Sequence, residues 1–193
     1  MALFLVRLKR PMKCLGWDRV QRETEATRNT ADIHNDVVDL YWLAFLLTGR
    51  RDTSVDIAAD AAASQDDANP FFAGWMHGWQ RRLVIGKALT VIHDELADSA
   101  RQTETARFNG SFRPPRNWSL GPDTTKADLE RALLAIDLFP RAALLLLVFE
   151  GVRMTDAATL LDAKPELLKK AQAIGLRELT ANLAATQASV SSA

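Results

Sequence analysis

Apolar residues recur at three- and four-residue intervals along most of the chain, the period of helices that bury one face. Val37, Val38, Tyr41, Ala44 and Phe45 form one such stripe, and Leu40, Leu43 and Leu47 fill its flank, so this first helix is apolar nearly all round. Asn35 or Asp36 can cap its start, and Gly49 can end it in a left-handed conformation. Asp52-Thr53-Ser54 can cap a second helix that runs to Ala63, before a loop over Gln65–Pro70. Phe71–Arg101 reads as one long helix, or two broken near Gly78, with Trp75, Trp79, Leu83, Leu89, Ile92 and Leu96 on its inner side.

The second half repeats the pattern with shorter elements. Thr124-Thr125 can cap a helix over Lys126–Asp137, and the apolar run Ala142–Phe149, too short for a bilayer, predicts a buried helix that Gly151 ends. Met154, Ala157, Ala158 and Leu161 share a face of a short helix; Asp162-Ala163-Lys164 then makes a turn of the length found in helix-turn-helix pairs. Pro165 stands where a first helical position tolerates a missing N–H. From there Leu168, Ala171, Gly175 or Leu176, and Leu179 mark an inner stripe, leaving Glu166, Lys169, Lys170, Gln172 and Arg177 toward solvent or a ligand. A helix of that kind beside a short supporting helix has the shape that enters a major groove.

The fold class expected is all-α, as two small helical bundles joined by a Pro/Gly-containing linker, the second with a helix-turn-helix. Residues 1–34 form a flexible arm, 35–102 the first bundle, 103–125 the linker with Gly110, Pro114, Pro115, Gly121 and Pro122, 126–184 the second bundle, and 185–193 a fraying tail.

A net charge of zero hides an uneven distribution. Residues 1–30 carry seven basic and three acidic groups, 31–100 five and eleven, and 101–193 twelve and ten. The acidic middle block argues against strong autonomous nucleic-acid binding, which usually shows as a basic domain. A single cysteine, Cys14, excludes an internal disulfide and a cysteine zinc cluster, and fits a reducing cytoplasm. The five-residue apolar run after Met1 is shorter than a signal peptide requires, so neither targeting nor a membrane role is expected.

Enzyme chemistry is thin. His34, His77 and His93 form no HExxH pair, and there is no Gly-rich phosphate loop or nucleophile elbow. His93-Asp94-Glu95 are adjacent helical positions that point in different directions. No catalytic residue, metal, cofactor or small-molecule substrate is therefore expected.

The string Glu150-Gly151, then Asp156, Ala158, Leu160 and Leu161, a turn, Lys169 and the closing Leu176-Arg177-Glu178-Leu179 resembles region four of bacterial RNA polymerase sigma factors of the extracytoplasmic-function class. The lead-in Ala132–Arg141 is similar to that family's LxxLPxxxR. Further back, Tyr41–Gly49 resembles its region-two LxxLAxxLTG helix and Val55–Ala61 its AEDLVQEAF helix. The resemblance implies that Asp56 and Asp60 dock on core RNA polymerase, with Ala59 standing where the family has Gln. Trp79–Ile92 looks like the family's WLxxIARNxAxDxxR helix, which implies promoter contacts for Trp79, Arg81, Arg82 and Lys87. It likewise implies DNA contacts for Lys164, Lys169, Lys170, Gln172 and Arg177. Ala171, Ala173 and Ile174 replace the family's basic cluster, so free DNA binding should be weak and salt-sensitive unless polymerase tethers both bundles.

Two functions follow from this reading. One is a sigma-like initiation protein that binds core RNA polymerase through the acidic helix and the Ala142–Phe149 region and places Pro165–Arg177 in the distal element of promoter DNA. The other is a degenerate relative acting as a protein-interaction module, for instance occupying an anti-sigma factor as a decoy.

Overall fold

The computed structural model describes residues 37–63, 73–107 and 124–190, all helical or connecting, with no strand among them. The expected arm over 1–34, the loop at 65–70 and most of the linker lie outside these residues.

Helix α1 (37–48) buries Leu40, Leu43, Ala44 and Leu47 and closes on Gly49 at φ 71°. A left-handed turn there costs glycine nothing. Helix α2 (Arg51–Ala63) starts slightly before the expected Asp52-Thr53-Ser54 cap. Ser54 is fully buried, and its hydroxyl lies 3.0 Å from that of Thr48, tying the first turn of α2 to the last of α1.

Helix α3 (Ala73–Val91) passes through Gly78 without interruption. The kink falls instead at Ile92, ahead of α4 (His93–Thr105). Ile92 is completely buried, and Ile92 N–H still donates to Ala88 while Leu96 N–H donates to Ile92, so the chain bends to seat the side chain and keeps its hydrogen bonds.

Helix α5 (Lys126–Leu134) opens with a capping box: Thr125 Oγ1 accepts from Asp128 N–H, and the Asp128 carboxylate accepts from Thr125 N–H. Those bonds hold the Asp128 carboxyl below its ordinary range. Helix α6 (Leu138–Leu144) runs into a π-helical turn, Leu145–Phe149, which Gly151 ends at φ 63°. The extra residue in that turn rotates Val148 and Phe149 outward to 48% and 46% exposure, although their run reads as wholly buried in sequence. Helices α7 (Met154–Leu160) and α8 (Pro165–Val190) complete the chain. Helix α8 continues to Val190, past Ala184 where fraying is expected.

The helices on the two sides of 108–123 share one hydrophobic core, where two separate bundles are expected. The described residues from Val37 onward form a single compact unit, in which α4 packs on α6 and α8. Buried Leu96 of α4 belongs to the same cluster as Phe139, Leu144 and Leu168. Polar contacts join the halves as well. Ser99 Oγ accepts the Phe139 N–H at 2.9 Å, satisfying a free donor at the start of α6. Trp42 Nε1 donates to Glu130 at 3.3 Å, and Lys126 Nζ stands 4.7 Å from the Trp42 ring.

Arg141 is buried beneath this junction. Its guanidinium donates to the Leu134 and Ile136 carbonyls at the end of α5, where a helix terminus favours a cation. Burial pushes its pKa down, partly offset by Asp137.

Candidate functional site

The α7–turn–α8 hairpin is built by local bonds. Ala163 N–H donates to the Ala158 carbonyl at 3.0 Å, and Asp162 N–H to that of Thr159, with Asp162 left-handed at φ 44°. This is a Schellman stop, in which a residue past the helix end turns back to satisfy its last carbonyls. Lys164 then accepts the Leu168 N–H and serves as N-cap, so Pro165 takes the first position of α8. One face of α8 is core: Leu168, Ala171, Ile174, Leu179 and Leu183 are buried, and Gly175 lies against α6.

The other face carries part of the expected DNA-contacting set. Lys164, Lys169 and Arg177 are exposed, and Gln172 is half-buried. Lys170 is turned away from that face. Its ammonium donates to the Glu104 carbonyl at 2.8 Å, at the C-terminal end of α4, where a cation offsets the helix dipole. Beside Arg177, burial first and Asp137 second push the Glu178 carboxyl up, against the opposing pull of Arg177.

The remaining expected residues gather around α3. Asp56, Asp60, Trp79, Arg82 and Lys87 line one groove of about 740 Å³ between α2 and α3. Its apolar wall includes Ile57, Leu83 and Val91. The acidic and basic groups, which the resemblance directs to different partners, thus share a surface. Lys87 Nζ bonds Asp60 at 2.7 Å across the groove. Both side chains are substantially exposed, so the pair is worth about 0–1 kcal/mol and can be exchanged for an outside partner. Trp79 remains 48% exposed and Arg82 is open to solvent.

Arg81 has a different position. It makes a two-pronged pair with Glu150, one bond at 2.9 Å, where the Glu150 side chain keeps only 10% exposure. The hydrogen bond to Glu150 raises the Arg81 pKa against burial, with further support from Glu150 and Asp39 charges. Arg81 therefore anchors α3 to the end of the π turn and is withdrawn from the set of available cations.

A second groove, of about 990 Å³, lies on the other side of α3. Arg82 lines it from α3, Phe149 from the π turn, Val152 and Arg153 from the connection that follows, and Leu160 from α7. Of these, sequence reasoning singled out Arg82, Leu160 and, as the end of the apolar run, Phe149, and it missed Val152 and Arg153. The rotation that exposes Phe149 comes from the π turn, which no residue pattern announces.

Among the described residues no group of three or more metal-ligating side chains occurs, and no helix is long and apolar enough to cross a membrane. No protein-family model, curated protein or solved structure matches the chain.

Proposed function

We propose that the chain is a sigma-factor-like transcription initiation protein that binds core RNA polymerase and promoter DNA. The observation that carries this reading is the α7–turn–α8 hairpin, whose second helix exposes Lys169 and Arg177, with Lys164 exposed at its N-cap. That arrangement supports insertion of the start of α8 into a major groove. The α2–α3 groove supports the polymerase contact, through Asp56 and Asp60. Few cations are left, so DNA binding depends on polymerase holding the chain at the promoter.

Run-off transcription with core polymerase tests the reading. Lys164→Glu with Lys169→Glu should abolish promoter-dependent product and lower the slope of log affinity against log salt by about two, one per lost phosphate contact. Full transcription by this double variant sinks the proposal.

A second reading, a protein-interaction module without promoter recognition, is favoured by one observation. Arg81, Lys87 and Lys170 are each engaged inside the chain, and the halves share a core. Stable capture of a small helical anti-sigma protein, with no DNA footprint in the presence of polymerase, would select it.

A further inference from the structure

We infer that a small cavity between α1, α3 and the π turn binds a free aromatic amine, its ring among apolar side chains and its ammonium on Asp39. The site lies apart from the α7–turn–α8 hairpin and shares no residue with the α2–α3 groove, so it holds whether or not the chain binds polymerase.

The cavity holds about 190 Å³. An apolar cavity of about 150 Å³ accommodates one benzene, so this space suits a single ring with a short arm. Leu43, Leu46 and Leu145 are the buried part of its lining. Trp42 and Phe149 add two aromatic rings. The Trp42 indole N–H donates to Glu130 at 3.3 Å, which fixes the first of them. Leu145, Phe149 and Glu150 come from the π turn and its cap, and turns of this kind occur frequently at functional sites.

Charge sets the sign of the ligand. The charged lining is Asp39, Arg81 and Glu150. Arg81 and Glu150 neutralise each other in their two-pronged pair, and with the Glu150 side chain only 10% exposed neither is released for a ligand. Asp39 is left over, exposed and without an ion pair among the described residues. Outside the lining, Lys126 and Glu130 both touch Trp42 and offset each other. The balance is one uncompensated negative charge beside an apolar space, which an ammonium on a ring complements. A carboxylate or phosphate would meet Asp39 with like sign, and a neutral ring would leave it unused.

The full chain is titrated calorimetrically with phenethylammonium, with its neutral and anionic counterparts phenethyl alcohol and hydrocinnamate, and with n-butylammonium, which has the charge and no ring. Phenethylammonium should bind saturably with a Kd below about 1 mM, about threefold to tenfold more tightly than the alcohol, and hydrocinnamate should bind least. Butylammonium should bind at least about tenfold more weakly, having lost the buried ring. The Trp42 indole N–H resonance should shift as phenethylammonium is added. Asp39→Asn, at an exposed position, should bring the ammonium down to the affinity of the alcohol and leave the alcohol unchanged. The ligand series on the unmodified chain needs no variant to fold. The inference is overturned by absence of saturable binding below about 1 mM, by the alcohol or hydrocinnamate matching the ammonium, or by Asp39→Asn keeping the preference. Butylammonium matching phenethylammonium overturns it too, since the cavity would then suit a lysine side chain.

Discussion

Replacing Gly175 by alanine sets two effects of known sign against each other. In a helix interior alanine is favoured over glycine by about 1 kcal/mol. At this position, however, an added Cβ would stand 2.8 Å from the Pro140 carbonyl oxygen, 3.3 Å from its carbon and 3.4 Å from Leu144 Cβ. A backbone carbonyl cannot swing aside as a side-chain tip can, so α6 must retreat from α8 by about half an ångström. That movement loosens Phe139, Leu144 and Leu168, all fully buried. Overpacking of this kind costs about 1–3 kcal/mol, and contact with backbone places it in the upper part of the range. The net expectation is a loss of about 1–2 kcal/mol, which for a chain of this size lowers the melting midpoint by about 2–8 °C. Gly86→Ala is the matched control: it also lies inside a helix, but its added Cβ would meet nothing within 4 Å. That substitution should raise stability by about 0.4–1 kcal/mol. Urea titration of both variants reads the difference as opposite shifts of midpoint at constant slope. Gly175→Ala melting at or above the unmodified chain would refute the close approach of α6 and α8.

Ser99→Ala should cost about 1–3 kcal/mol in a urea titration, because it leaves the buried Phe139 N–H without its acceptor; a change below about 0.5 kcal/mol contradicts the contact. Asp162→Gly should stabilise the chain by about 1 kcal/mol by relieving a left-handed aspartate at the end of α7, read as a raised melting midpoint. Glu178 has a raised pKa, so its contribution to stability is fully present below the unfolded-state value and is lost as pH rises through the folded-state value. Glu178→Gln should therefore gain stability relative to the unmodified chain between acidic and neutral pH, and a pH-independent difference would refute the assignment. Tryptophan fluorescence and far-UV circular dichroism should report one coincident unfolding transition, since α4, α6 and α8 bury the same cluster. Two separated transitions would restore independent bundles.

On α8, helix docking decides which cation stays exposed. Lys169 and Lys170 are neighbours in sequence, yet one faces solvent and the other caps α4. A helix rotates successive side chains by about 100°, so adjacent lysines meet different surroundings once one face is covered. The cation left for a partner is the one that the fold does not use.

Periodicity by itself determined that the described chain is helical and where several helices stop, because those features depend on neighbours within four or five residues. Gly49 and Gly151 turn left-handed, Thr125 caps α5 and Pro165 starts α8 through bonds and backbone preferences that are local. Tertiary structure decided which apolar stripe covers which. An apolar face is non-directional and accepts any partner of suitable shape, so two bundles and one shared core are equally compatible with the stripes. It also decided that Gly175 lies against α6, since only a residue without Cβ fits against the Pro140 carbonyl. Arg81 found Glu150 and Lys87 found Asp60 for the same reason: charges this far apart along the chain meet only after the helices dock.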